Sequence, residues 1–194
     1  MNYSLTNEKL TLVLVNLIFG GALIYSYYHY LKTGSVSIKT LWGKAYDKKI
    51  VFEISMLLTF ISYLIILGFA IFKTPNTKKN TAVISNLTII QLLIIVVSML
   101  WLPLTLLYAK NAKKNKHNAL GMFAVILVLL IVAIGAFKQI FLVNMLTEEK
   151  TLCAQVSKKI ALIAAGYFFV HTFFFDTIGW NMSFFSNFKQ PKEL

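Results

Sequence analysis

The 194 residues are 58% hydrophobic and 13% charged, with a mean hydropathy of +0.71. A water-soluble domain carries roughly a quarter charged residues and under half apolar ones, so this chain has too little charge to cover a water-facing globule. One cysteine excludes a disulfide framework and any thiolate-rich zinc site. With no low-complexity tract or sustained heptad, the class that remains is an all-α integral membrane protein, a single transmembrane domain over residues 1–194.

Nineteen lysines against seven acids give a formal charge of +12, without one arginine. A nucleic-acid binder would use arginine, whose fork clamps phosphate and reads guanine. Here the lysines fall in short stretches between apolar runs, so the basicity belongs to a membrane surface. No nucleic-acid partner is expected.

Five apolar runs reach the length of about 20 residues that a helix needs to cross a bilayer core. They cover about 10–31, 50–72, 84–109, 120–145 and 160–180. The first resembles a leader peptide in its small residues Gly20, Gly21 and Ala22, but Glu8 and Lys9 cancel and no basic n-region precedes it. It is therefore read as a span.

In the first loop Ile38, Leu41, Trp42, Ala45 and Tyr46 recur at helical spacing, with Lys39, Lys44 and Lys48 off that stripe. The pattern predicts a short amphipathic helix lying in the membrane interface, anchored by Trp42. Gly43 works against it by about 1 kcal/mol relative to Ala.

Within the spans the expensive residues are the informative ones. Glu53 lies in the second run, Lys138 in the fourth, and His171 and Asp176 in the fifth, among Tyr167, Phe168, Phe169, Phe173, Phe174 and Phe175. A rise of about 1.5 Å per residue places Lys138 about 17 Å from Asp176 along the membrane normal, which excludes a direct ion pair. Two polar layers are expected instead. The outer one is Lys138 with Gln91 and Asn16, suited to an anionic headgroup or carboxylate. The inner one is Glu53 with Asp176, and His171 is the next station toward the midplane. Because five residues turn an α-helix about 140°, Asp176 is expected to face Glu53 rather than His171. Glu53 also has a simpler reading, snorkelling beside Lys48 and Lys49. Pro103 predicts a kink in the third run.

Orientation follows from the lysines. The N-terminus, second and fourth loops hold seven, whereas the first loop, third loop and C-terminal tail hold eleven. The positive-inside bias then puts the N-terminus outside and the C-terminus in the cytoplasm. Asn2, Asn86 and Asn181 each begin an Asn-x-Ser/Thr match, all at a terminus or the membrane boundary. No zinc-protease, nucleophile-elbow, phosphate-loop or Cys-x-x-Cys motif occurs, and neither metal nor cofactor is predicted.

The reading that results is a non-enzymatic multi-pass membrane protein with a polar-lined cavity that handles a small solute, lipid or proton. The alternative is an accessory subunit packed against membrane-protein partners.

Overall fold

Backbone groups in a bilayer must find partners within the protein, and a helix does so within its own segment. Every long apolar run has taken that solution in the computed structural model, which describes residues 5–33, 37–113, 119–148, 150–186 and 188. The long helices are α1 (Asn7–Thr33), α3 (Lys49–Phe72), α4 (Lys78–Lys113), α5 (Ala119–Met145) and α6 (Leu152–Val170). The last continues without a break through a π-helical segment, His171–Trp180, into α7 (Asn181–Ser186). Five helices are long and apolar enough to cross a membrane, which fits a multi-pass membrane protein.

Several helices outrun their apolar cores because polar residues cap them. The fifth begins at Leu152 rather than near 160, since the Thr151 hydroxyl accepts the Ala154 N–H at 3.2 Å. Before α4 the Thr77 hydroxyl accepts from the Asn80 N–H in the same way.

α4 packs on α5 along one side and on α1 along another, while α6 packs on α5 and α3. The spatial order is therefore α1–α4–α5–α6–α3. A hydrogen bond from the Tyr63 hydroxyl to Asn16 links α3 back to α1. α5 comes close to α4 at Gly135, where a Cβ would lie 2.7 Å from Ile94 Cγ1. Small residues at such seams let helices approach in lipid. Ala161, Ala164 and Ala165 serve α6 similarly. One apolar cluster centres on Leu12, Ile66, Leu87, Val143 and Leu146. A second, with Tyr108, Val125, Trp180 and Phe184, fills the other end.

The first loop departs from expectation. It is helical from Ile38 to Lys48, but as a five-residue α2 (Ile38–Trp42) followed by a 3-10 turn, Gly43–Lys48. Gly43 takes φ 58°, a conformation other residues rarely adopt, and this divides the stripe. The apolar side is directed into the protein: Leu41 and Ala45 are buried, and Trp42 meets Phe52 edge-on at 5.4 Å. Ser183 of α7 ties the segment down, accepting the Ala45 N–H and donating to the Trp42 carbonyl at 3.0 Å. Trp42 thus packs on the bundle while remaining half-buried.

α4 runs through Pro103 as one helix. Around the proline, Thr105 donates to the Trp101 carbonyl at 2.7 Å and Tyr27 of α1 donates to the Ser98 carbonyl at 2.9 Å. Neither donates to the Met99 carbonyl, the one Pro103 leaves without its N–H donor, so the two bonds brace the helix around the proline rather than replace the lost bond.

Candidate functional site

The buried face of α3 reads Ser55, Thr59, Ser62, Ile66, Phe69, a three- and four-residue spacing whose first half is small and polar. Ser55 meets α6 at a point where two polar side chains converge. Its Oγ lies 2.9 Å from the Tyr167 hydroxyl and 2.7 Å from His171 Nδ1. On the far side of the imidazole, Nε2 is 3.4 Å from Asp176 Oδ1. Phe175 stacks on the ring at 5.6 Å and holds its plane.

The direct approach of His171 to Asp176 overturns the expected 140° separation. The physical reason is the π-helix. With i→i+5 bonding, each turn contains more residues, and the fifth residue returns beside the first instead of a third of a turn past it. The hydroxyl of Thr177 marks the same geometry, donating to the Thr172 carbonyl five residues back at 2.7 Å. Asp176 is paired with His171 on its own helix, while Glu53 is exposed on the outer surface of α3. Its place one turn beyond Lys48 and Lys49 fits the snorkelling alternative.

Exposure is graded along this chain of groups. Ser55 and His171 are 4% and 3% exposed, whereas the Asp176 side chain is 32% exposed. Tyr167 at the other end is half-buried. A buried Ser–His centre is thus flanked by two ends nearer the surface.

The outer layer is assembled differently from expectation. Asn16 and Gln91 meet, the Asn16 amide donating to Gln91 Oε1 at 2.7 Å, and Tyr63 joins through Asn16. Lys138 does not join them: it is exposed on α5, on the side away from the bundle. Its neighbour Gln139 is the residue that turns inward, fully buried. Neither amide atom of Gln139 has a hydrogen-bond partner, nor does Gln91 Nε2. Sequence reasoning passed over Gln139 because it ranked ionisable groups first. The signal was the register of α5, where Val128, Val132, Gly135, Gln139 and Leu142 share one face.

At the end of the bundle that holds the N-terminus, Lys9 is buried and donates to the Thr74 carbonyl at 2.6 Å. Among the described residues no cluster of histidine, cysteine and carboxylate suits a metal ion. Asn181 is buried, so its Asn-x-Ser match is not an open acceptor, and Asn2 lies outside the described residues.

Chemically, the Tyr167–Ser55–His171–Asp176 series can be written with its protons pointing either way. Tyr167 donates to Ser55, Ser55 to Nδ1, and Nε2–H faces the Asp176 carboxylate. Alternatively, protonated Asp176 faces Nε2, Nδ1–H donates to Ser55, and Ser55 donates to Tyr167. Each group both gives and takes a proton, so the series can pass one along its length. Compared with known protein families, with curated proteins and with solved structures, the chain has no match in any of the three, and the site stands on its own geometry.

Proposed function

We propose that this chain is a non-enzymatic multi-pass membrane protein whose inner polar layer relays a proton, coupled to handling of a small solute or lipid. The observation that carries the reading is the contact series Tyr167–Ser55–His171–Asp176, with its centre buried and its ends more exposed. Polar groups this costly inside a span commonly mark proton or ion paths. A π-helical stretch at the same place adds weight, since such irregularities recur at functional sites. Ser, His and Asp also make up nucleophilic triads, but a serine only 4% exposed gives an acyl carbonyl no approach.

The test is reconstitution into liposomes under an imposed pH gradient, with internal pH followed by a trapped dye. Wild type is expected to relax the gradient, and Asp176→Asn and Ser55→Ala to slow it at least about tenfold, a barrier increase of about 1.4 kcal/mol. His171→Gln, which cannot cycle a proton, should match them. A wild type that relaxes no gradient, or variants equal to it, removes the relay.

The accessory-subunit reading has its own support in α1, where Lys9 and Leu12 are the buried residues of a 27-residue helix. Gly20 and Gly21 on α1 have open space where a side chain would go. Cross-linking from cysteines placed there to a co-purifying membrane protein would favour it.

A further inference from the structure

A groove of about 460 Å³ runs between α5 and the end of the last long helix, walled by Met122, Ile126 and Met182 and carrying three polar residues, Thr177, Asn181 and Ser186. Each of the three polar side chains already gives one proton to the protein. Thr177 donates to the Thr172 carbonyl, Asn181 Nδ2 to the Thr177 carbonyl and Ser186 to the Ser183 carbonyl, each at 2.7 Å. Besides the second Asn181 amide proton, what they leave over are acceptor oxygens. One of these, Asn181 Oδ1, finds no partner although Asn181 is 5% exposed. A buried, unpaired amide oxygen costs free energy that a donor would recover.

The depth of the site narrows the donor. The helix from Leu152 to Ser186 has 35 residues, or roughly 50 Å at 1.5 Å per residue, against a hydrocarbon core of about 30 Å. Asn181 is close to its end and therefore lies at headgroup level. Trp180 and Trp101 meet beside it at 5.0 Å, the kind of aromatic pairing found at that boundary. The walls below are apolar and suit an acyl chain.

We propose that this groove binds a phospholipid with a primary-ammonium headgroup, an N–H of which bonds Asn181 Oδ1. An ammonium brings three donors to a site whose unpartnered buried atom, Asn181 Oδ1, is an acceptor, whereas a trimethylated choline brings none. The site is separate from the His171 series, so it stands or falls independently of the relay.

The experiment places the full chain, carrying Trp42→Phe so that only Trp101 and Trp180 fluoresce as tryptophan, in phosphatidylcholine nanodiscs and titrates in lipids with brominated acyl chains, reading the quenching. Phosphatidylethanolamine and its N,N-dimethyl derivative, which keeps one N–H, should half-saturate at a mole fraction about five- to tenfold lower than brominated phosphatidylcholine, the factor expected of one charge-assisted hydrogen bond. Asn181→Leu should abolish that preference, and Ile126→Phe, which fills the groove, should weaken quenching by every lipid. Equal quenching by choline and ethanolamine lipids in the Trp42→Phe chain would overturn the proposal and requires no groove variant to fold. Retention of the preference in Asn181→Leu, or a preference for phosphatidylglycerol over phosphatidylethanolamine, would overturn it as well.

Discussion

A one-residue step on a helix decides whether a polar side chain belongs to the bundle or to its surroundings. Lys138 and Gln139 are about 100° apart on α5, and that turn sends the charge outward and the neutral amide inward. Gln139 is then a polar group without a partner in a place where each unpaired atom costs about 1–3 kcal/mol. Replacing it by leucine, close in volume and free of polar atoms, should raise the thermal unfolding midpoint in detergent by an amount equivalent to about 1–3 kcal/mol. Lys138→Leu should leave the midpoint nearly unchanged, because that side chain packs against nothing internal. Differential scanning fluorimetry of both variants checks the pair of expectations. A lower midpoint for Gln139→Leu would mean that water or a ligand completes the amide, and that the outer cluster of Asn16, Gln91 and Tyr63 extends to α5.

At the scale of elements, loops as well as helices hold the bundle together. Asn80 at the start of α4 donates to the Pro75 and Thr147 carbonyls at 2.9 and 3.0 Å, and its Oδ1 accepts from both the N–H and hydroxyl of Thr147 at 2.9 Å. One fully buried amide thus joins the α3–α4 loop to the α5–α6 loop. Asn80→Ala, which leaves those partners unmatched, should cost about 2–4 kcal/mol, measurable as a lower denaturant midpoint; Lys79→Ala, at the exposed neighbouring position, should cost much less.

Glu148 in the α5–α6 loop also pairs with Lys158 on α6 at 2.9 Å. The Lys158 hydrogen bond holds the Glu148 carboxyl below its ordinary value of 4.5. A depressed carboxylate stabilises the fold above the unfolded-state value and loses that contribution as pH falls through the folded one. Stability should therefore decline slightly below about pH 4.5, and Lys158→Ala should flatten that part of a thermal-shift pH series. The pair is partly solvated, so the effect is small.

These elements differ in how legible they were. The five spans follow from apolar length, which is a property of composition over 20 residues and survives errors at single positions. Thr151 and Thr77 extended helices beyond their apolar cores, because a cap acts on backbone N–H groups irrespective of hydropathy. The π-helical stretch left no local signature, since i+5 and i+4 bonding draw on the same residue types. The choice is made by packing of Phe175, Trp180 and Thr172 against their neighbours. For that reason His171 and Asp176 were recognisable as costly residues but not as a contact pair. Ser55 and Tyr167, each unremarkable in sequence, became part of the series only once α3 and α6 met.

At the scale of the whole molecule the two ends are chemically distinct. One end gathers Lys9, Thr74, Asn80, Thr147 and Lys158 in hydrogen bonds between helix ends and loops. The other gathers Trp42, Tyr108, Trp180, Phe184 and Phe185 in ring contacts, with Trp180 stacked on Phe184 at 4.7 Å. By the positive-inside bias, the lysine count of eleven to seven predicts that the aromatic end is cytoplasmic. Cys153 tests that assignment, because it is the only thiol, it is exposed, and it lies at the opposite end, with Lys73 Nζ 3.9 Å from its sulfur. A membrane-impermeant maleimide added to intact cells should therefore label Cys153 without permeabilisation. Labelling that appears only after permeabilisation would invert the molecule in the membrane, place the aromatic end outside, and leave every helix contact within the bundle as it is.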